Sequence, residues 1–206
     1  MKKLTFSLLL TAVSLSGFSQ SSTDFKSESK YRPSFGFNVG LNQSVLFNSN
    51  ATEELEIQNA PGFRLGVLLS FPIFEKWSID PKAELSFNYS RIIEGNINYR
   101  VDPNNLDFMV HMKYDLGYWK GKIQPYCYLS PNIRVPLSGE EIDEPTYDTK
   151  IALAADFAFG LDIDLGHSNI SPEIRFSGGL TDIRRNPYGN ILRGSNAAFV
   201  LNFSSN

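Results

Sequence analysis

The chain has 206 residues, a formal net charge of −3 at neutral pH and a single cysteine. That balance argues against nucleic acid as a partner, which would want a basic face, and Cys127 alone cannot make an intramolecular disulfide. The length suits one domain. No Cys/His cluster has zinc spacing and no nucleotide-binding glycine-rich motif, EF-hand loop or heptad repeat appears, so no cofactor or metal is expected.

Lys2 and Lys3 form a basic start, Leu4 to Val13 is an apolar run, and Gly17 and Ser19 give a small-x-small cleavage site. This is the pattern of a secretory signal peptide over residues 1–19, cut between Ser19 and Gln20. The apolar run is shorter than the roughly twenty residues a transmembrane helix needs. No cysteine follows it, which argues against a lipid-anchored lipoprotein. Losing Lys2 and Lys3 takes the formal charge from −3 to −5. Residues 20–30, polar and rich in Ser and Lys, read as a flexible periplasmic leader, and residues 31–206 as the folded domain.

Eight stretches of alternating hydrophobicity follow. Phe35, Phe37, Val39 and Leu41 oppose Gly36, Asn38, Gly40 and Asn42; Phe63, Leu65, Val67, Leu69 and Phe71 oppose Arg64, Gly66, Leu68 and Ser70. The third is the strongest: Trp77, Ile79, Pro81, Ala83, Leu85, Phe87 and Tyr89 against Ser78, Asp80, Lys82, Glu84, Ser86 and Asn88. The fourth sets Leu106, Phe108, Val110, Met112, Tyr114 and Leu116 against Asp107, Met109, His111, Lys113 and Asp115. In the fifth, Ile123, Cys127, Leu129, Ile133 and Val135 oppose Gln124, Tyr126, Tyr128, Ser130, Asn132 and Arg134. The sixth separates Ile151, Leu153, Phe157, Phe159, Leu161 and Ile163 from Ala152, Ala154, Asp156, Ala158, Gly160 and Asp162. In the seventh, Ile170, Ile174, Phe176 and Leu180 face away from Ser171, Glu173, Arg175 and Ser177. The last has Ala197, Phe199, Leu201 and Phe203 against Asn196, Ala198, Val200 and Asn202. A helix would scatter these sets around its axis, whereas a strand separates them. Each pass has the length of a tilted membrane-spanning strand. Pro81, Pro125, Pro131 and Pro172 interrupt these stretches and are expected at near-rim or bulge positions, since each removes a ladder donor.

The gaps alternate in length. Phe47 to Pro61, Arg91 to Asn105, Ser138 to Lys150 and Asp182 to Asn190 are long or polar; Pro72 to Lys76, Gly117 to Gly121 and Gly166 to Asn169 are short. Short turns on one side and long loops on the other are the rhythm of an all-β, eight-stranded antiparallel up-and-down transmembrane barrel with both termini in the periplasm. Phe74, Trp77, Tyr118 and Trp119 gather at the short turns, where an aromatic girdle would sit. The competing fold is a soluble lipocalin-like barrel that hides its apolar face around a ligand. The bulk of the apolar face, the loop rhythm and the export signal favour the outer membrane.

With the apolar face on lipid, the charged face fills the lumen. Arg64, Lys82, Lys113, Arg134 and Arg175 share it with Asp80, Glu84, Asp107, His111, Asp115, Asp156 and Glu173. An eight-stranded barrel is just wide enough for side chains to fill it. Buried charges must pair, so an ion-pair ladder is expected rather than a pore. Catalysis has little support: His111 lies within the fourth strand and His167 in a short turn, neither with a serine and acid beside it. Cys127 is expected to face lipid as a small apolar residue.

The loops are polarised. Glu53, Glu54 and Glu56 lie in the first and Glu140, Glu141, Asp143, Glu144 and Asp148 in the third, while Arg184, Arg185 and Arg193 lie in or beside the fourth. The arginines suit lipopolysaccharide phosphates; the acids read as solvated loop, with cation binding the sharper alternative.

Several segments together resemble the PorT-like outer-membrane β-barrel proteins. They are the signal ending Gly17-Phe18-Ser19-Gln20, the pass Leu106-Asp107-Phe108-Met109-Val110-His111-Met112-Lys113-Tyr114, and Gln124-Pro125-Tyr126-Cys127-Tyr128-Leu129-Ser130-Pro131. Phe157 to Ile163, Pro172-Glu173-Ile174-Arg175-Phe176 and Phe199 to Phe203 are similar too. The resemblance implies an eight-stranded outer-membrane barrel without catalytic residues, and its founding member takes part in type IX secretion. One departure is the ending Ser204-Ser205-Asn206, where such barrels often finish on an aromatic residue. The expectation is a non-enzymatic envelope component with a plugged polar lumen, whose partners are outer-membrane lipid, lipopolysaccharide and other envelope or secretion proteins. A small-ligand or lipid-binding barrel is the alternative.

Overall fold

The computed structural model describes residues 32–49, 56–94, 97–101, 104–119, 122–137, 149–183 and 191–205, and within them each alternating stretch is a strand. In chain order these are β1 (Ser34–Ser49), β2 (Glu56–Gln58), β3 (Pro61–Phe74), β4 (Trp77–Phe87), β5 (Arg91–Glu94) and β6 (Ile97–Arg100). Then follow β7 (Asn104–Asp115), β8 (Ile123–Pro136), β9 (Ala152–Asp164), β10 (Ser168–Gly179) and β11 (Ile191–Ser205).

The eight long strands form a closed antiparallel barrel in which each pairs with the next in sequence, and β11 returns to pair with β1. Closure leaves the barrel no free edge. Pairs Ser34↔Ser70 and Gly36↔Ser204 bring the first and last strand ends to the rim that carries the β3–β4 turn. The three short turns share that rim. In the β7–β8 and β9–β10 turns Gly117 and Gly166 supply a left-handed backbone, with φ of +105° and +95°, a conformation glycine adopts without a Cβ clash.

Burial follows the period of two. Phe37, Val67, Val110, Leu129, Phe159 and Phe176 stand exposed on the outer wall, while Asn38, Arg64, Glu84, Asp107, Asp156 and Arg175 are buried inside. Neighbouring outer aromatics stack across strands: Phe37 on Phe203 at 4.9 Å and Phe63 on Phe87 at 4.3 Å between ring centroids. Such pairs add to the ladder that holds register. Cys127 is on the outer face of β8, half-buried between its neighbours.

The prolines behave differently from the expectation. Only Pro125 lies near a rim. At Pro81, Pro131 and Pro172 the pairing lapses on one side over two residues and resumes in the same register, with no bulge: Lys82↔Leu68 then Ile79↔Phe71, Met109↔Asn132 then Met112↔Leu129, and Glu173↔Gly160 then Ile170↔Ile163. Each proline lacks the donor for one neighbour. Strand pairs on either side hold the register through the gap.

The long gaps also hold more order than their polarity suggested. The first strand runs on to Ser49, and the gap from Arg91 to Asn105 contains the hairpin β5–β6, which joins β2 in a three-stranded sheet of order β2–β5–β6. Ile92 from this sheet packs with Leu46, Val101, Ala152, Ile183 and Leu192, with Ile57 against them. Leu46, Ala152 and Leu192 sit at the loop ends of β1, β9 and β11, so this small apolar core lies at the rim opposite the short turns. The signal peptide, the leader, Arg184, Arg185 and the acidic loop residues other than Glu56 lie outside the described residues.

Candidate functional site

The inward faces converge on a set of charged side chains arranged in three tiers along the barrel. In the middle tier Glu84 of β4 is fully buried and receives donors from four residues. Its Oε2 accepts from Arg175 Nη1 at 2.8 Å and Arg64 Nη1 at 3.2 Å. Its Oε1 accepts from Asn38 Nδ2 at 2.8 Å and Arg175 Nη2 at 3.0 Å, and pairs with Lys82 Nζ at 2.9 Å. A carboxylate offers about four lone-pair sites, so Glu84 is saturated.

Glu173 of β10 balances the other side. Its Oε1 lies 2.5 Å from Arg175 Nη2 and accepts from the Tyr128 hydroxyl at 3.0 Å; its Oε2 accepts from Tyr126 at 3.0 Å and Asn202 Nδ2 at 2.9 Å. Lys82 Nζ donates to Asn202 Oδ1 at 2.8 Å, and Arg175 Nε to Tyr128 Oη at 2.7 Å. Three cations, Lys82, Arg175 and Arg64, thus meet the two carboxylates, Arg64 through Glu84 alone. Pairing with hydrogen bonds on every side is the condition under which buried ions are tolerated.

Towards the loops Asp107 lies 3.9 Å from Arg64 Nη2 and 4.0 Å from Arg134 Nε. Arg134 also donates to the Gly194 carbonyl at 2.8 Å and to Ser177 Oγ, which in turn donates to Asp156; Asn132 donates to Asp156 at 3.0 Å. Arg64 links this tier to Glu84 below.

At the short-turn end Lys113 pairs with Asp162 and lies 3.7 Å from Asp115. Its ammonium also sits 4.4 Å from the centre of the Tyr126 ring. Ser171 donates to Asp162 at 2.5 Å and Ser70 to Asp80 at 2.6 Å. Here three acids, Asp80, Asp115 and Asp162, face one lysine. The excess is placed where Asp115 and Asp162 remain about a fifth exposed, so water shares the charge.

All twelve residues expected in the lumen therefore face it, though not all as ion partners. Asp80 is held by Ser70, and His111 stacks flat on Tyr128, 3.9 Å between centroids and 9° between planes. His111 was expected as a lumen hydrogen-bonder; here its ring stacks, and its Nε2 has no hydrogen-bond partner among the described residues. The rings meet because adjacent strands β7 and β8 both aim these side chains inward. Sequence reasoning left Asp162, Tyr126, Tyr128, Asn38 and Asn202 out of the network. Their inward parity was the available signal; that they reach Lys113, Glu173 and Glu84 depends on strand order around the ring.

Phe74, Trp77, Tyr118 and Trp119 are exposed at the short-turn rim, and Trp77 leans on Tyr114 at 4.8 Å. Arg193 stands exposed near the loop end of β11. His167 is exposed in the β9–β10 turn. Among the described residues no group of His, Cys, Asp and Glu could hold a metal ion. The interior is lined by charges rather than by the predominantly apolar wall of a ligand pocket.

No family model matches the chain, and no curated protein matches it. Among solved structures it is similar to the neisserial surface protein NspA, with a TM-score of 0.56 at 8% identity over 83% of this chain and 96% of that one. It is similar too to the outer-membrane protein OprG of Pseudomonas aeruginosa, with a TM-score of 0.55 at 11% identity over 85% of this chain and 96% of that one. At such identity the likeness is one of fold. The chain has the closed eight-stranded barrel fold that these outer-membrane proteins share.

Proposed function

We propose that the chain is a non-enzymatic outer-membrane barrel whose lumen is closed by its own ion pairs. The observation that carries this reading is the inversion of its two faces. Large apolar side chains stand exposed on every barrel strand, from Phe37 on β1 to Phe199 on β11, while Arg175, Glu84 and Arg64 are almost fully buried. In water such an outer wall would far exceed the apolar patches soluble monomers expose; in a bilayer it is the lipid face. The short-turn rim with both strand ends then faces the periplasm. Phe74, Trp77, Tyr118 and Trp119 form its interfacial girdle, and the small sheet and long loops face outward.

His111 stacks its ring on Tyr128 inside the barrel, and its Nε2 has no serine or acid partner among the described residues. The protein's role is structural or as an interaction component of the envelope. Arg193, with Arg184 and Arg185, provides cationic contacts for lipopolysaccharide phosphates. The sequence resemblance to PorT-like proteins supports a place beside the type IX secretion machinery, which copurification with other envelope proteins after mild detergent extraction tests.

Membrane residence is tested by fractionation. The expected result is a protein that sediments with outer membranes, resists salt and alkaline washes, and is released only by detergent. Recovery in the soluble periplasmic fraction without detergent would overturn the reading.

A further inference from the structure

The outward face of β4 continues past the end of the strand. Beyond Leu85 and Phe87 the same alternation runs through Tyr89, exposed, and Arg91, half-buried, with Asn88, Ser90 and Ile92 buried between and beyond them. Along this one line the wall changes from apolar to aromatic to cationic. That is the order met on leaving hydrocarbon, where tyrosine sits at the level of the lipid headgroups.

Arg91 opens β5, and the residue directly opposite it on β6 is Arg100. Ile92, paired with Tyr99 and fully buried in the small apolar core, marks the inner side of the hairpin. Both arginines therefore stand on its outer side, where opposed Cβ atoms lie about 4.5–5.5 Å apart. Arg100 also leans back towards the barrel wall, its guanidinium carbon 5.7 Å from the centre of the Tyr89 ring. The pair is thus held beside the last aromatic of the wall. Exposed Gln58 of β2 stands opposite Arg91, and Glu56 on the same face is one pair further from the wall, opposite Ile93.

Like charges side by side repel, and an anion between them turns the repulsion into attraction. Guanidinium forks match phosphate oxygens bidentately. Both arginines make other contacts as well, and five N–H donors apiece leave capacity for a phosphate beside them. The patch is continuous with the apolar wall, so the phosphate within its reach is that of a lipid headgroup.

Given the membrane orientation set out above, we propose that Arg91 and Arg100 clamp a phosphate group of lipopolysaccharide in the outer leaflet. The clamp is separate from Arg193, which lies on β11 opposite Phe47 of β1. It ties the β5–β6 hairpin to the membrane surface.

Binding of purified lipopolysaccharide to the full chain folded in detergent tests the clamp, with the phosphate-free form of the same lipid and inorganic phosphate as comparisons. Affinity should fall about tenfold or more in the double variant Arg91→Gln with Arg100→Gln, the loss of charge-assisted hydrogen bonds. Removing the lipid's phosphates should weaken the wild type at least as much, and millimolar inorganic phosphate should not displace the lipid. In the wild type, the side-chain N–H resonances of Arg91 and Arg100 should shift with the phosphorylated lipid alone, a readout that needs no variant to fold. Unmoved resonances would overturn the proposal, as would a double variant that binds as tightly as the wild type while keeping its compact, heat-modifiable mobility. Displacement by inorganic phosphate would overturn it too, in favour of a free anion. A chain that fractionates with outer membranes and shows none of these effects would lose the clamp and keep the membrane reading.

Discussion

Glu84 and Arg175 face each other across the full width of the barrel. Their strands, β4 and β10, are four places apart in either direction around the eight-strand ring, yet two direct contacts of 2.8 and 3.0 Å join them. This bidentate pair is a strut through the lumen axis. It fixes the two fork-shaped groups in one plane, and Arg64, Lys82 and Glu173 close around it.

Removing the charge at the centre should therefore be costly. In Glu84→Gln, Arg175, Arg64 and Lys82 lose the anion they share, and breaking a buried pair from one side costs about 3–5 kcal/mol. The expected outcome is a lower midpoint for denaturant unfolding of the detergent-folded barrel, followed by tryptophan fluorescence, with membrane targeting unchanged. A midpoint equal to that of the wild type would show that the strut does not hold the barrel.

Gly160 and Tyr126 give a second test within the lumen. They are paired on β9 and β8, and the tyrosine ring lies across the glycine so closely that a Cβ at 160 would meet Cζ at 2.3 Å. The ring cannot stay in place beside any larger residue. Gly160→Ala should push Tyr126 off Glu173 and leave that carboxylate one donor short, at about 1–3 kcal/mol. In the double variant with Tyr126→Phe the second substitution should add little, because the hydrogen bond is already lost. Full additivity in that cycle would contradict the coupling.

The outer face makes the opposite prediction from the inner one. Val67, half exposed in the middle of β3, would tolerate a charge on a water-facing wall. On lipid, Val67→Arg should destabilise the folded barrel by about 2–4 kcal/mol. Unfolding measured in lipid vesicles reads the difference. A shift within experimental error would argue that this wall does not meet hydrocarbon.

The loop-side sheet should come apart separately from the barrel. Ile92 is fully buried in the small apolar core that ties β5 to the barrel mouth. Ile92→Ala should cost about 2–5 kcal/mol of local stability and expose β5–β6 to protease added from outside. The barrel itself should keep its compact, heat-modifiable mobility on gels. Loss of that mobility would mean that the sheet and barrel fold as one unit.

Much of this was legible from parity alone. On β4 the alternation of Ser78, Asp80, Lys82, Glu84 and Ser86 with Ile79, Leu85 and Phe87 assigns each side chain its face, because the strand period is two. Parity does not say who meets whom. Lys113 pairs with Asp162 two strands away, and Arg175 with Glu84 on the opposite wall, and both depend on strand order and stagger that no local window contains. The hairpin β5–β6 escaped for another reason: four-residue strands are too short for periodicity, and Ile92 and Ile93 form an isolated apolar pair between Arg91 and Glu94. The prolines misled because the donor each lacks is needed by one neighbour only, which a reading of isolated strands does not reveal.

The central claim, an outer-membrane barrel closed from within, is tested most directly by conductance across a planar lipid bilayer containing the intact protein. Glu84, Arg175, Lys82 and Glu173 meet inside the barrel, and a lumen closed by them, as proposed, leaves no continuous water path. The predicted result is insertion with negligible ion current at any modest voltage. A steady, large open channel would contradict the account and make the chain a pore.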